Sequence, residues 1–405
     1  MSQIGEKLRL YSGPRVVAKE RTENASDEIL HFGEFSFLRE NGSYVRRQTV
    51  KSPHAGKSLH EYMPMGFSGI LDLALVSSPD PIHPEDVIFL DTETTGLSRG
   101  TGNFPFLTGL AYFHRGALQV EQHFLNEISD EGAYLEAIFA SLSRFRYLVT
   151  YNGKSFDIPL LRTRLVMNRK KIGVELTHFD LLHIFRRLVP KPSMRSYRQQ
   201  EMESQFLGFE RVEDTSGALI PQIYFDYKKY GQSEPMGGVF EHNEKDLTGM
   251  LFLFLEAVRI YDSRDTGRSA LRSGLARILA RNNRHGEAIE MLSVIENSEM
   301  DDFRYRDLLF LGSLLRRGGR ITEAAGIYDL VARQYECQYS FVALAKIYEH
   351  KIKDLSVALE HTESALRIRG GPFRESDLKK RQERLRRKAE RKGKEKSNGK
   401  GNDIS

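Results

Sequence analysis

Cysteine is almost missing from this sequence: Cys337 is the single one in 405 residues, so no internal disulfide framework can hold the fold together. Nor is there an apolar run near the roughly 18 residues that a membrane-spanning helix requires. The opening Met-Ser-Gln-Ile-Gly-Glu-Lys lacks the apolar core of a signal peptide. A soluble, cytoplasmic protein with no membrane partner is therefore expected. The tract Arg99-Gly100-Thr101-Gly102-Asn103 is not followed by Gly-Lys-Ser/Thr, which excludes a phosphate-binding loop and leaves a turn between two strands. What the chain does have is length and 40% hydrophobic residues, enough to bury a sizeable core spread over two domains or more.

Positive charge is concentrated at one end. Residues 371–405 carry thirteen Lys/Arg against six Asp/Glu, or +7, so within a formal total of +5 residues 1–370 stand at −2. Between Lys379 and Lys396 this segment reads as a Lys/Arg-rich helix that then frays into Gly, Asn, Lys and Ser, with too little apolar content to fold alone. A basic, partly disordered tail over 371–405 suits nucleic acid or another polyanion, because phosphate binding releases condensed cations. The competing reading is a solubilising tail.

Residues 31–51 alternate apolar and polar around Asn41-Gly42, the signal of a hairpin with a two-residue turn. An accessory sheet packed on the following domain is the expectation for residues 1–85. From Asp86 onward the pattern is richer. Val87-Ile88-Phe89-Leu90 forms a buried-strand run, 107–113 and 117–125 read as strands joined at Arg115-Gly116, and 131–145 has helical spacing. A strand at 147–151, a helix at about 159–168, a short strand near 174–178, and helices around Leu181, over 197–206 and over 239–261 follow. The order β-β-β-α-β-α-β-α is that of an α/β ribonuclease-H-like mixed sheet with helices on its faces, here assigned to residues 86–263.

Residues 268–370 repeat a helix pair. A Leu-small step recurs as Leu275-Ala276, Leu311-Gly312 and Leu344-Ala345, and twelve or thirteen residues after its small member stand Ala288, Ala324 and Ala358. Small residues let helices approach closely, and the step of 33–36 residues resembles tetratricopeptide repeats without their opening aromatic. An all-α, tetratricopeptide-like helical repeat domain is expected, either offering a surface to a protein partner or serving as a helical cap.

Three motifs carry the candidate chemistry. In Phe89-Leu90-Asp91-Thr92-Glu93-Thr94-Thr95-Gly96, two carboxylates at i and i+2 near a strand end face one side of the sheet. Burying them is costly unless a cation compensates, and hard divalent cations favour such oxygen donors. The alternative is a strand that simply ends in a polar turn. In Thr150-Tyr151-Asn152-Gly153-Lys154-Ser155-Phe156-Asp157, a strand ends, Gly153 permits a tight turn, and Asp157 stands at a helix start. There it would either cap the helix or share a sheet edge with Asp91. In Glu241-His242-Asn243-Glu244-Lys245-Asp246, His242 and Asp246 share a helix face at a separation of four, while Asn243 and Glu244 are expected to point elsewhere. The bland alternative is a polar first turn. Asp180, in His178-Phe179-Asp180-Leu181, is read as a helix cap in preference to a group that orients a ligand.

Together, four carboxylates and a histidine in this order resemble the DEDD exonuclease superfamily, the DnaQ-like group that includes polymerase proofreading domains. Asp91-x-Glu93 matches its first motif, Asn152 to Asp157 resembles the Asn-x-x-x-Phe-Asp second motif of family-B polymerases, and His242 to Asp246 occupies the third. Within that group most of residues 30–370 looks like the YprB-type bacterial ribonuclease-H-like proteins, on the strength of Phe89 to Gly109, His178 to Leu188, Asp214 to Tyr224 and His242 to Asp246. One feature departs from the pattern. The superfamily's histidine subgroup sets His five residues before the last Asp and its tyrosine subgroup sets Tyr four before, so His242 combines one subgroup's residue with the other's spacing.

The resemblance implies a metal-dependent 3′–5′ exonuclease on single-stranded DNA or RNA. Asp91, Glu93, Asp157 and Asp246 would hold two divalent cations, Mg2+ or Mn2+, roughly 3.5–4 Å apart. His242 would take the proton of the attacking water. Asn152, Phe156 and Lys154 would position the terminal nucleotide by hydrogen bonding, stacking and charge. Two other readings stay open: structure-specific endonuclease cleavage, and a non-catalytic nucleic-acid-binding or scaffold protein that acts through the helical repeats and basic tail.

Overall fold

A computed structural model describes residues 19–21, 28–50, 66–78, 80–96, 102–171, 173–191, 193–264, 267–297 and 303–399. The chain forms two compact units, the first covering 1–187 and 194–264, the second 188–193 and 265–405.

In the first unit, among the described residues, nine strands make one sheet: β1 (Lys19–Arg21), β2 (Glu28–Phe32), β3 (Phe35–Glu40), β4 (Ser43–Val50), β5 (Val87–Thr94), β6 (Pro105–His114), β7 (Ala117–Phe124), β8 (Tyr147–Thr150) and β9 (Thr177–Asp180). Their spatial order is β1-β2-β3-β4-β7-β6-β5-β8-β9. All neighbours are antiparallel except β5/β8 and β8/β9. The helices are α1 (Gly69–Ala74), α2 (Glu131–Leu142), α3 (Asp157–Met167), α4 (Leu181–Leu188), α5 (Gln199–Met202, continued by a π turn over Glu203–Leu207), α6 (Ile220–Tyr230) and α7 (Met236–Ser263). From β5 to α4 the order is the expected ribonuclease-H-like one.

Local sequence explains the turns. Asn41 and Gly42 have φ of 48° and 81°, and Arg115 and Gly116 have 50° and 76°, the paired left-handed residues that a two-residue hairpin loop needs to match strand twist. Val87 to Leu90 are at most 1% exposed, as befits a central strand covered on both faces. Two expectations change. The N-terminal strands are not a sheet packed on the domain but its continuation, since β4 pairs with β7 from Tyr44↔Phe124 to Val50↔Leu118. That pairing satisfies an edge that β7 would otherwise leave bare. The short strand expected near 174–178 sits at Thr177–Asp180, because its parallel register with β8 stacks Phe179 on Tyr147 at 5.6 Å between ring centroids.

The long helix α7 positions the third motif. Phe240 near its start packs on Phe37 (4.7 Å) and Phe124 (5.5 Å), and Phe254 further along meets Phe89 edge-on (5.5 Å). Between these anchors the helix lies close on β6 at Gly109, where any Cβ would collide with Asn243 and Leu247. Glycine within a strand commonly marks such an approach.

The second unit is helical: α8 (Ser269–Arg281), α9 (His285–Ser293), α10 (Arg304–Arg317), α11 (Ile321–Tyr335), α12 (Gln338–Ile347), α13 (Leu355–Arg367) and α14 (Glu375–Gly399). Helices α8/α9, α10/α11 and α12/α13 pack as consecutive pairs. Leu275, Ala276, Leu311, Leu344, Ala345, Ala288, Ala324 and Ala358 are all buried, and the Tyr328 ring lies over Gly312. The basic segment departs from the expected tail. Helix α14 buries Leu378 and Leu385, and Arg381, Arg384 and Lys388 converge on Glu349, whose side chain is 1% exposed. Two leucines seven apart give an otherwise charged helix an apolar seam, which is why it docks. Residues 400–405 lie outside the described residues. Among those described, no helix is long and apolar enough to cross a membrane.

Candidate active site

The register Asp91↔Gly109↔Gln122 places these three residues in one row across β5, β6 and β7, on the face covered by α7. Gln122 Nε2 donates to Asn243 Oδ1 at 3.0 Å and to the Phe240 carbonyl at 2.8 Å, and Asn243 Nδ2 donates to Asp91 Oδ2 at 2.9 Å. Asn243 therefore does not point elsewhere, as its sequence position suggested. The space left by Gly109 lets it reach the sheet and orient the first acid. The Asp157 carboxylate turns toward β5, accepting from Thr92 Oγ1 at 2.5 Å.

His242 and Asp246 share a face of α7, with Nε2 to Oδ2 at 3.4 Å, and Glu93 Oε1 lies 4.0 Å from the same Nε2. Donor atoms of Glu93, His242 and Asp246 all fall within 4.8 Å of one another. The other ring nitrogen, Nδ1, sits 2.9 Å from Asp214 Oδ1. Desolvation would raise the Asp214 carboxyl, but His242 and Arg211 hold it down to about 2. It is thus an ionised, accept-only group, so Nδ1 carries the hydrogen and Nε2 is the atom aimed at the acids. Arg211 ties this corner together. It bonds Asp246 Oδ1 (2.6 Å), Glu203 (2.7 and 2.8 Å) and Asp214 Oδ2 (3.1 Å).

The four acids are short of positive charge. Burial, then repulsion from Asp246 and Asp157, pushes Asp91 well above the carboxylate range, and burial with repulsion from Asp91, Asp246 and Asp157 does the same to Glu93. Burial lifts Asp157 to about 6 against the Thr92 hydrogen bond. It also raises Asp246, opposed by Arg211 and His242. His242 moves up, because the Asp214 hydrogen bond and the charges of Asp246, Asp214 and Asp91 outweigh its desolvation. Glu93 and Asp246 keep 12% and 19% side-chain exposure, enough for a small ion to reach them.

Asn152, Lys154 and Phe156 lie on the β8–α3 loop that delivers Asp157. Asn152 is left-handed, with φ of 65°. Lys154 is exposed and Phe156 is 46% exposed. Asp180 fastens this loop, accepting from the Asn152 and Lys154 backbone N–H groups at 2.9 and 3.0 Å while capping α4 through Leu182 N at 3.1 Å. It is a cap, as read, and a loop anchor besides. Sequence reasoning turned Asn243 the wrong way and passed over Arg211, Glu203 and Asp214, the last having entered only as the edge of a resembling stretch. Gly109 and the polar Gln122 inside apolar strands were the available signal for the first. Gly249, where a Cβ would strike Glu203, was the signal for the Glu203–Arg211 corner.

Residues 88–257 match the RNase_H superfamily. Over 292 residues the chain is 33% identical to the uncharacterized protein YprB of Bacillus subtilis (strain 168), a match that covers 70% of each chain.

Proposed function

The chain belongs to the YprB family within the RNase_H superfamily, whose fold implies nuclease-type activity on nucleic acid, and from that premise we propose a metal-dependent 3′–5′ exonuclease acting on single-stranded DNA or RNA. One observation carries the reading: four carboxylates from β5, α3 and α7 converge with raised proton affinity beside a histidine whose Nε2 faces two of them. Four carboxylates offset only by Arg211 and His242, both on the Asp246 side, fit a hard divalent cation such as Mg2+ or Mn2+. Asp91, Glu93, Asp157 and Asp246 are the proposed holders of two such cations. When bound, these would supply Lewis-acid stabilisation of charge developing on phosphodiester oxygens.

The chain's own groups do the rest. Asp214 fixes His242 with hydrogen on Nδ1; once cations offset the acids that raise the ring's proton affinity, Nε2 would be left to accept the proton of the attacking water. Asn243 and Thr92 orient Asp91 and Asp157, and Arg211 restrains Asp246. Asn152, Lys154 and Phe156, on a loop held by Asp180, would receive the terminal nucleotide. The helical hairpins of the second unit are proposed as the surface for a protein partner.

The test is incubation with 3′- and 5′-labelled single-stranded DNA and RNA in Mg2+, Mn2+ or EDTA, beside Asp91→Ala. Metal-dependent laddering from the 3′ end that vanishes in Asp91→Ala is the expected result. Cleavage of a circular strand would replace the exonuclease with an endonuclease. Strand binding without turnover in any metal would overturn both and leave a non-catalytic binding or scaffold protein.

A further inference from the structure

We propose that the outward face of α14 docks the phosphate backbone of a nucleic acid strand. Lys380, Glu383, Arg384, Arg387, Lys388 and Arg391 line a surface groove of about 380 Å3 in the second unit, with five cationic side chains against one acid. The cations divide by task. Arg381, Arg384 and Lys388 neutralise Glu349, which is held down to about 2 despite its desolvation. Lys380, Arg387 and Arg391 are exposed, and among the described residues none of the three pairs with a carboxylate. At 100° per residue they fall within about 40° of one another, opposite the buried Leu378 and Leu385. They span about 16 Å along the axis, the length over which one strand of a duplex carries about five phosphates.

A basic helix could instead suit an anionic membrane, but that mode needs an apolar face to enter the lipid. In α14 the leucines that would form such a face are buried in the protein. What remains outside is a face of Lys, Arg and Glu side chains with no apolar residue among them, which matches a soluble polyanion. The choice of nucleic acid rests on the proposed nuclease substrate.

The experiment reads binding without turnover. Fluorescence anisotropy of a labelled single strand is measured in EDTA with the full chain carrying Asp91→Asn, with and without Lys380→Gln/Arg387→Gln/Arg391→Gln. The triple change should weaken binding at least about tenfold at 0.1 M salt and flatten the log–log salt slope by about 2, at roughly 0.7 per lost phosphate contact. Arg317→Gln/Arg320→Gln/Arg333→Gln removes the same charge elsewhere in the unit and should leave both readouts unchanged. If circular dichroism shows that the triple has lost helix, Lys380→Gln alone should still flatten the slope by about 0.7. An unaltered slope, equal weakening by the control triple, or tighter binding to phosphatidylserine vesicles than to the strand overturns the proposal. A chain that binds through α14 but hydrolyses nothing sinks the nuclease reading alone. One that hydrolyses while its slope ignores the α14 changes sinks this proposal alone.

Discussion

Glu121 and Asp91 occupy adjacent rows of one sheet and point to opposite faces, and their surroundings could hardly differ more. Glu121, 1% exposed, receives Ser141 Oγ at 2.5 Å, His123 Nε2 at 2.8 Å and Arg47 Nε at 2.9 Å. Against its desolvation, these partners hold its carboxyl far below the usual range. Asp91 receives an amide from Asn243, and the acids around it push it far above that range. A buried acid that the fold itself neutralises is part of the framework; one left under-neutralised among other acids is, on the function proposed above, the one that would receive a cation from outside.

Replacing each acid by its amide should therefore give opposite results. Asp91→Asn is expected to lower turnover by at least about 10²–10³-fold while raising the melting temperature in EDTA, because it removes one repelling charge. Glu121→Gln breaks a buried, hydrogen-bonded charge network and should cost on the order of 3–5 kcal/mol of stability, with turnover per folded molecule unchanged. Urea titration together with nuclease rates reads both. A stability loss in Asp91→Asn matching that in Glu121→Gln would erase the distinction.

Acidity offers a smaller effect of the same kind. Burial raises Asp157 from its ordinary 3.8 to about 6, so between those values the folded chain holds a proton that the unfolded chain has released. Its contribution is favourable below about pH 4 and is lost as pH rises through about 6. Glu121 and Asp214, held low, act in the other direction and lose their contribution as pH falls below about 4. Thermal melts in EDTA from pH 4 to 8 should show the downward trend with rising pH, and Asp157→Asn should flatten it. Mg2+ should restore stability at pH 7 to 8. A melt curve indifferent to Mg2+ would argue against cation binding at these acids.

How much of this was legible in sequence follows from how local each signal is. Asp91-x-Glu93 and His242-x-x-x-Asp246 announce themselves through the strand and helix periods, and the hairpin turns through Asn-Gly and Arg-Gly. The order of elements from β5 to α4 follows from the same periods. Asp214 and Arg211 were hidden because they lie on an irregular stretch between α5 and α6, where no period says which way a side chain points. Their partners, His242 and Asp246, stand 28 and 35 residues on. Asn243 was misread because helix geometry says only that it flanks His242, whereas its role depends on the glycine facing it from β6. The docking of α14 rested on two leucines, too faint a seam to weigh against thirteen basic residues in the segment.

The subtlest test concerns Asp214, which lies beside the acid cluster yet is low where its neighbours are high. Asp214→Asn keeps the volume but removes the charge, and an amide can present its NH2 group to Nδ1, which moves the ring hydrogen to Nε2 and closes the atom proposed to accept a proton. A fall in kcat of about 10–100-fold is expected, with KM and the Mn2+ affinity nearly unchanged, since Asp214 is not among the proposed cation holders. Its bond to Arg211 at 3.1 Å offers a rival route, through Asp246. The double variant separates the two. Added to His242→Ala, Asp214→Asn should cost nothing further if it acts through the histidine, whereas an additional loss accompanied by weaker Mn2+ binding would show that Asp214 works by holding Arg211 against Asp246.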